Sequence, residues 1–245
     1  MLPVDIHTFV KDEAPYLAEW IEFHIAQGVR AIHLYDDDST DNTREVVARY
    51  HDFVSIEPAA GRGQTQQYQH LIGTTKEPAW LALTDADEFL YSPMGRPLPE
   101  VLHPFEKFGA VAVHWVCYGP CGQEQPTDAP VRQRFTHGTP DRHIKSIVRV
   151  PNVCHGGYAM HAFVVDGGCV DDLMRPVSGT DPWPPFSASV LRIDHYATKS
   201  VAECMARGDR GNRFCPDQSG AKRLKSYIEA EREWLATGIV PRRAN

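Results

Sequence analysis

The chain opens on alternating β-branched and aromatic positions, Val4-Asp5-Ile6-His7-Thr8-Phe9-Val10, a strand pattern, and Lys11-Asp12-Glu13-Ala14-Pro15 then supplies a turn and a helix start. Leu17, Trp20, Ile21, His24 and Ile25 recur at spacings of three and four, which makes one helical face apolar, and Gly28 is a natural stop. A second strand is predicted over 31–35. The polar run Asp36-Asp37-Asp38-Ser39-Thr40-Asp41-Asn42-Thr43 leads into a helix over 44–50, with Val46, Val47 and Tyr50 inward and Ser39, Thr40 or Asp41 as its cap. A short strand over 53–57, Gly61-Arg62-Gly63 and a polar-faced helix over 64–71 follow. Trp80-Leu81-Ala82-Leu83-Thr84 is then an apolar run of buried-strand length that ends abruptly in Asp85-Ala86-Asp87-Glu88.

Strands alternating with helices predict an α/β sheet, whose ligands sit beyond the carboxyl ends of its strands. Both acidic clusters fall on that edge, where they are expected side by side. Beyond Pro99 the rhythm changes. Strands are predicted over 110–116 and 146–150, separated by a Gly-, Pro- and Gln-rich loop over 119–139, so this half should be irregular and form a substrate face. The stretch 171–186 has the composition of a mobile loop or lid, and 217–235 returns to helix with Leu224, Ile228 and Leu235 as its apolar stripe. The chain thus reads as one domain over 1–245, with a ligand-binding half over 1–98, an acceptor and catalytic half over 99–216 and a terminal helix.

Composition narrows the classes. At 245 residues, 42% hydrophobic and 23% charged, the chain holds one large core and is neither disordered nor a rod. A formal net charge of -7 argues against wholesale binding to a nucleic-acid backbone, which needs clustered Lys and Arg. No apolar run approaches the roughly 18 residues of a membrane span, and Met1-Leu2-Pro3-Val4-Asp5 lacks signal-peptide character, so a cytoplasmic location is expected. The basic residues of the tail, among them Lys222, Arg223, Lys225, Arg232, Arg242 and Arg243, form a solvated face or touch a membrane surface peripherally. The six cysteines, Cys117, Cys121, Cys154, Cys169, Cys204 and Cys215, are expected as free thiols. No dinucleotide or P-loop pattern is present.

Asp85-x-Asp87 at the end of an apolar strand is the strongest chemical signal, because two such carboxylates can share one hard divalent cation, although the same residues can also cap a turn. Together with the Asp36 to Asp41 run they would attract Mg²⁺ or Mn²⁺ and, through it, a diphosphate.

Lys11-Asp12-Glu13, Glu19-Trp20 with His24, Tyr35 to Thr43, Trp80 to Leu90, Lys145-Ser146-Ile147-Val148-Arg149 and His195-Tyr196-Ala197-Thr198-Lys199-Ser200, in that order, resemble the family 2-like and family 92-like glycosyltransferases of the GT-A fold. The resemblance implies a single GT-A-like, Rossmann-like α/β domain with a mixed central sheet flanked by helices. It implies a UDP-sugar donor, with Asp37 at the uracil imide and Asp36 beside it, and a donor-binding set of Glu13, Asp36, Asp37, Gln67, Asp85, Lys145 and Lys199. Mn²⁺ or Mg²⁺ would be held by Asp85, Asp87 and His195, with Lys199, Arg207 or Arg210 near the leaving diphosphate. An inverting displacement onto a glycan or lipid-linked glycan is the family expectation, with galactose as the sugar and surface-polysaccharide or lipopolysaccharide assembly as the setting. The base falls in the C-terminal half, where Glu124, Asp166, Asp171, Asp172 and Asp181 are available and Asp171 or Asp172 is favoured. Trp115, Tyr118 and Trp183 are either acceptor platforms or core; Lys145 and His161 match family-like positions. Two other classes stand beside this reading: a sugar-phosphate nucleotidyltransferase, which should show a basic Gly-rich loop after Val10, and a non-catalytic nucleotide-sugar or glycan-binding module.

Overall fold

Strict alternation fills the first third of the chain: β1 (Val4–Val10), α1 (Ala14–Ala26), β2 (Ala31–Asp36), α2 (Thr43–Ala48), β3 (Val54–Pro58), α3 (Gln64–Thr74) and β4 (Ala79–Leu83). This is a computed structural model, and it describes residues 1–59, 61–181, 183–209 and 219–238. The second half runs β5 (Glu88–Tyr91), α4 (Leu98–Leu102), β6 (Ala110–Tyr118), α5 (Val131–Arg134), β7 (Gly138–Val150), β8 (Cys154–Tyr158), β9 (Ala162–Val165), β10 (Cys169–Asp171), β11 (Pro176–Val177), β12 (Arg192–His195), α6 (Val201–Asp209) and α7 (Gly220–Thr237).

The main sheet has the order β11-β10-β6-β7-β4-β1-β2-β3, mixed in direction and flanked by helices. β4, β1, β2 and β3 are parallel, whereas β7 lies antiparallel between β4 and β6. β6 is long enough to take two neighbours on its other side: β10 pairs with residues 110–112, and β12 pairs with residues 115–117 and also with β5. β4 is wholly buried because both its faces are covered. Trp80 and Ala82 pack with Leu17, Trp20 and Ile21 of α1, while Ala79, Leu81 and Leu83 pack with Tyr68 and Ile72 of α3 and Phe163 of β9.

Several expectations change here. β1 stands between β2 and β4, so the two acidic strand ends share an edge without being neighbours; the order reverses at β1, which makes the β1/β4 boundary the ligand crevice. β7 begins at Gly138 rather than at 146, because its first half carries polar residues that the sheet nevertheless buries. The loop over 119–139 contains α5, whose first amides, of Val131 and Arg132, are capped by the Glu19 carboxylate at 2.6 and 3.1 Å. Asn42, not Ser39, Thr40 or Asp41, is the N-cap residue of α2, although the Asp41 carboxylate does accept the Thr43 amide at 2.9 Å. In α7 the buried residues are Gly220, Tyr227 and Ala230, and Leu235 is 77% exposed, so the apolar stripe lies elsewhere than predicted. The predicted helix start at Asp217 lies outside the described residues, as do Arg210, Cys215, Arg242 and Arg243. The other five cysteines are free, and among the described residues no helix is long and apolar enough to cross a membrane.

One contact matters for the site. The Trp20 indole donates to the Glu88 carbonyl at 2.7 Å, and His24 receives the Leu90 amide on Nε2 at 3.1 Å while its Nδ1 bonds the Trp20 carbonyl at 2.8 Å. The pair fastens α1 to β5 and so fixes the turn that carries Asp85 and Asp87. Burial drives the His24 pKa down to about 3, so the ring is neutral and fully hydrogen-bonded.

Candidate functional site

Asp85 and Asp87 follow β4 at the crevice edge. β12 returns beside β6 and brings His195 to them, which only tertiary pairing could do across the intervening chain. Asp87 is buried; its Oδ2 is bonded by Arg207 of α6, and its Oδ1 lies 3.6 Å from His195 Nε2 and has no hydrogen-bond partner. Burial opposes the charge on Asp87, but Arg207, His195 and Lys199 outweigh it and hold the carboxyl well below the usual carboxylate range. Burial lowers the His195 pKa against the pull of Asp87, which favours the neutral imidazole able to donate a lone pair.

Asp85 is differently employed. Its Oδ1 accepts from Gln64 at 2.7 Å and its Oδ2 from Lys145 at 2.9 Å. Burial raises its pKa, and Lys145 more than reverses that. Lys145 is 1% exposed and also lies 3.7 Å from Glu88, whose own carboxyl is pushed well above the usual range by burial. The Asp-x-Asp-Glu turn therefore holds two carboxylates whose charge the basic neighbours favour and one whose charge burial disfavours.

Lys199 and Glu13 meet at 3.9 Å, both buried, and Glu13 Oε2 has no hydrogen-bond partner. Lys199 sits over the Tyr16 ring at 4.2 Å, and its pKa is lowered by burial despite Glu13. Its backbone is left-handed, with φ 53°, a costly conformation for a non-glycine residue that the surroundings maintain. Next to it Glu203 gathers Arg134 at 2.5 Å and the Tyr16 hydroxyl at 2.7 Å.

The acidic loop after β2 lines the same edge as lacing between loops. Asp36 is buried, paired with Arg44 at 2.6 Å and accepting the Ser39 amide at 3.0 Å. Asp12 accepts the Thr40 amide at 2.7 Å, and Asp41 accepts the Ala14 amide at 3.1 Å. Asp37 is half-buried, its amide bonded to the Val10 carbonyl at 2.9 Å. Gln67 is half-buried and accepts from Arg62 at 3.3 Å.

The structure thus brings together Glu13, Asp85, Asp87, Lys145, His195, Lys199 and Arg207. It does not bring Asp171 or Asp172 into their bonding network. Asp171 Oδ2 pairs with Arg175 at 2.5 Å while its Oδ1 accepts the Leu173 and Arg175 amides, and Asp172 Oδ2 accepts the amides of Ser189, Val190 and Leu191. Both carboxylates tie down the β10–β12 connection; Asp171 is occupied on both oxygens, whereas Asp172 Oδ1 is buried without a hydrogen-bond partner. The stretch 171–186, expected as a mobile loop or lid, contains the short strand β11. Tyr118 is core, stacked on Tyr196, with its hydroxyl bonded by Arg192 at 2.6 Å.

Sequence reasoning missed Gln64, Glu88, Asp141 and His143. The alternation Asp141, His143, Lys145 was the available signal, a polar period of two that marks one face of a strand. Among the described residues no group of three His, Cys, Asp or Glu side chains is already arranged to hold a metal.

The sequence pattern of glycosyltransferase family 92 matches residues 4–160. A glycosyltransferase family 92 protein of Oryza sativa subsp. japonica is 29% identical over 153 residues, covering 58% of this chain and 26% of the rice protein. One from Arabidopsis thaliana is 28% identical over 161 residues, covering 58% of this chain and 28% of its own. The chain therefore spans little more than a quarter of these relatives. A mannosyltransferase from Pyrobaculum calidifontis, solved with GDP-Man and Mn²⁺, overlaps 46% of this chain and 36% of its own at 20% identity and a TM-score of 0.35, a partial overlap only.

Proposed function

Since the chain belongs to glycosyltransferase family 92, we propose that it transfers a sugar from a UDP-sugar to a hydroxyl of a glycan or lipid-linked glycan, with Mn²⁺ or Mg²⁺ held at Asp87 and His195. The observation that carries this reading is Asp87 Oδ1, a buried anionic oxygen without a hydrogen-bond partner, 3.6 Å from a neutral imidazole at the ligand crevice. A buried unpaired oxygen is costly, and a cation is the partner that would remove the cost. The donor set of carboxylate and imidazole suits Mn²⁺ or Mg²⁺, and Asp85 lends charge beside it. When bound, the cation would stabilise the charge that develops on the departing diphosphate.

The chain's own groups account for the rest. Lys199 and Arg207 are positive groups beside Asp87 that can face the phosphates, and Lys145 keeps Asp85 ionised and oriented. Asp37 at the end of β2 offers a carboxylate to the uracil imide, and Glu13, Asp36 and Gln67 border the same edge. Galactose, inversion and a place in surface-polysaccharide assembly belong to the same proposal and rest on the family alone.

The test is a thermal-shift titration with UDP, GDP, ADP and CMP, each with Mn²⁺ and with EDTA. A Mn²⁺-dependent shift with UDP, lost in Asp87→Asn while the variant stays folded, is expected. Equal affinity in the variant would sink the metal assignment, and no shift with any nucleotide would leave a binding module without donor chemistry.

A further inference from the structure

Asp141, His143 and Lys145 are all buried in β7, where the register with β6 shifts between Pro140 and Ile144. Lys145 reaches Asp85. His143, one step along, is 1% exposed, and both its backbone amide and its ring Nδ1 bond Asp141 Oδ1, at 2.9 and 2.8 Å. A carboxylate only accepts, so Nδ1 carries a proton, and in the neutral ring the lone pair is on Nε2. That Nε2 is buried and has no hydrogen-bond partner.

Its surroundings point to the same crevice. Trp115 stacks on His143 with ring centroids 5.1 Å apart and meets His195 with its other contact at 4.3 Å, so one indole separates this imidazole from the candidate metal ligand. The edge of Trp183 closes over His143 at 5.6 Å, and Tyr158 packs on Trp183 at 5.5 Å. His161 stands 5.8 Å away, with its Nδ1 on the Ile144 carbonyl at 3.0 Å. Trp183 is partly exposed, and its displacement would open the ring to a sugar, whose apolar face suits the aromatic wall.

We propose that His143, held by Asp141, is the general base of the transfer, a proposal that rests on the donor reading above. As the acceptor oxygen bonds to the anomeric carbon, its proton passes to Nε2. The bond from that carbon to the phosphate oxygen breaks, and its electron pair leaves with UDP. Asp141 keeps Nδ1–H in place and faces the imidazolium that forms. Asp171 has both oxygens occupied, by Arg175 and by backbone amides, and Asp172, whose Oδ1 lacks a hydrogen-bond partner, spends its Oδ2 on the amides of Ser189, Val190 and Leu191.

The experiment follows UDP release from UDP-galactose, UDP-glucose and UDP-N-acetylglucosamine with Mn²⁺ and water as acceptor, in the full chain and in His143→Ala, His143→Gln and Asp141→Asn. Both His143 variants should lose about 100-fold or more in kcat, with donor KM changed less than about threefold. Added imidazole should restore part of the activity of His143→Ala and none of that of His143→Gln, whose side chain still fills the site. Asp141→Asn should lose less than either. The UDP and Mn²⁺ thermal shift checks that each variant is folded and binds donor. Activity in His143→Ala within about threefold of the parent, or a loss that imidazole leaves untouched while the thermal shift persists, overturns the base. No UDP release by the parent chain overturns the donor reading and this inference with it.

Discussion

Lys145 shows how much one buried charge organises. Burial alone would lower its pKa, but Asp85 foremost raises it, so the ammonium persists at 1% exposure. Lys145→Met removes the counter-charge from Asp85 and should cost about 3 kcal/mol in a urea titration, the low end for breaking a buried pair because Asp85 is 30% exposed. Glu88→Gln is the contrasting substitution. Burial pushes its carboxyl well above the usual range, and one oxygen accepts the Asp85 amide at 3.1 Å, a bond an amide oxygen can also make. The change should therefore stay below about 1 kcal/mol by the same titration. Asp85 and Asp87 were readable as candidates because two carboxylates end an apolar strand, and His195 through the family resemblance. Glu88 was not, because its protonation depends on burial that no local pattern encodes.

Elements carry these residues into register. α6 holds Arg207, and α7 crosses it at Gly220, where a Cβ would lie 2.6 Å from the Cys204 carbonyl oxygen and the Met205 Cα. Gly220→Ala must push α7 away from α6, and α7 also places Tyr227 against His195 with ring centroids 6.5 Å apart. A loss of about 1–3 kcal/mol is expected, read as a lower Tm. An unchanged Tm would mean that the crossing adjusts freely. The alternation of β1 to β4 was legible because each strand is short, apolar and bounded by turn residues. β5, β8, β9 and β10 were not, since three- to five-residue strands are held by their neighbours more than by their own pattern.

At the scale of the whole molecule, burial sets the pH response. His7 and His24 have pKa values lowered to about 3, for His7 by burial and then by His33, and for His24 by burial foremost. In the unfolded chain each titrates near 6.5, so below that pH the unfolded state binds protons that the native state refuses. Stability should be full above about pH 6.5, fall as the pH drops toward 3, and lose about 2 kcal/mol per histidine by pH 5. The lowered carboxylates add their loss only at lower pH, and urea titrations at pH 7 and pH 5 in the Glu88→Gln background, which removes the opposing proton uptake of that raised carboxyl, read the histidines. Equal midpoints at the two values would mean that these rings accept protons in the native state. By itself the sequence determined the α/β alternation and the two acidic strand ends, because periodicity, turn residues and runs of carboxylates are local properties. Tertiary structure alone decided that β1 separates the acidic ends, that Asp171 and Asp172 serve the backbone, and that Asp141 and His143 face the crevice. Those outcomes depend on which strands pair and on what each pairing buries, and strand order is a property of the closed sheet.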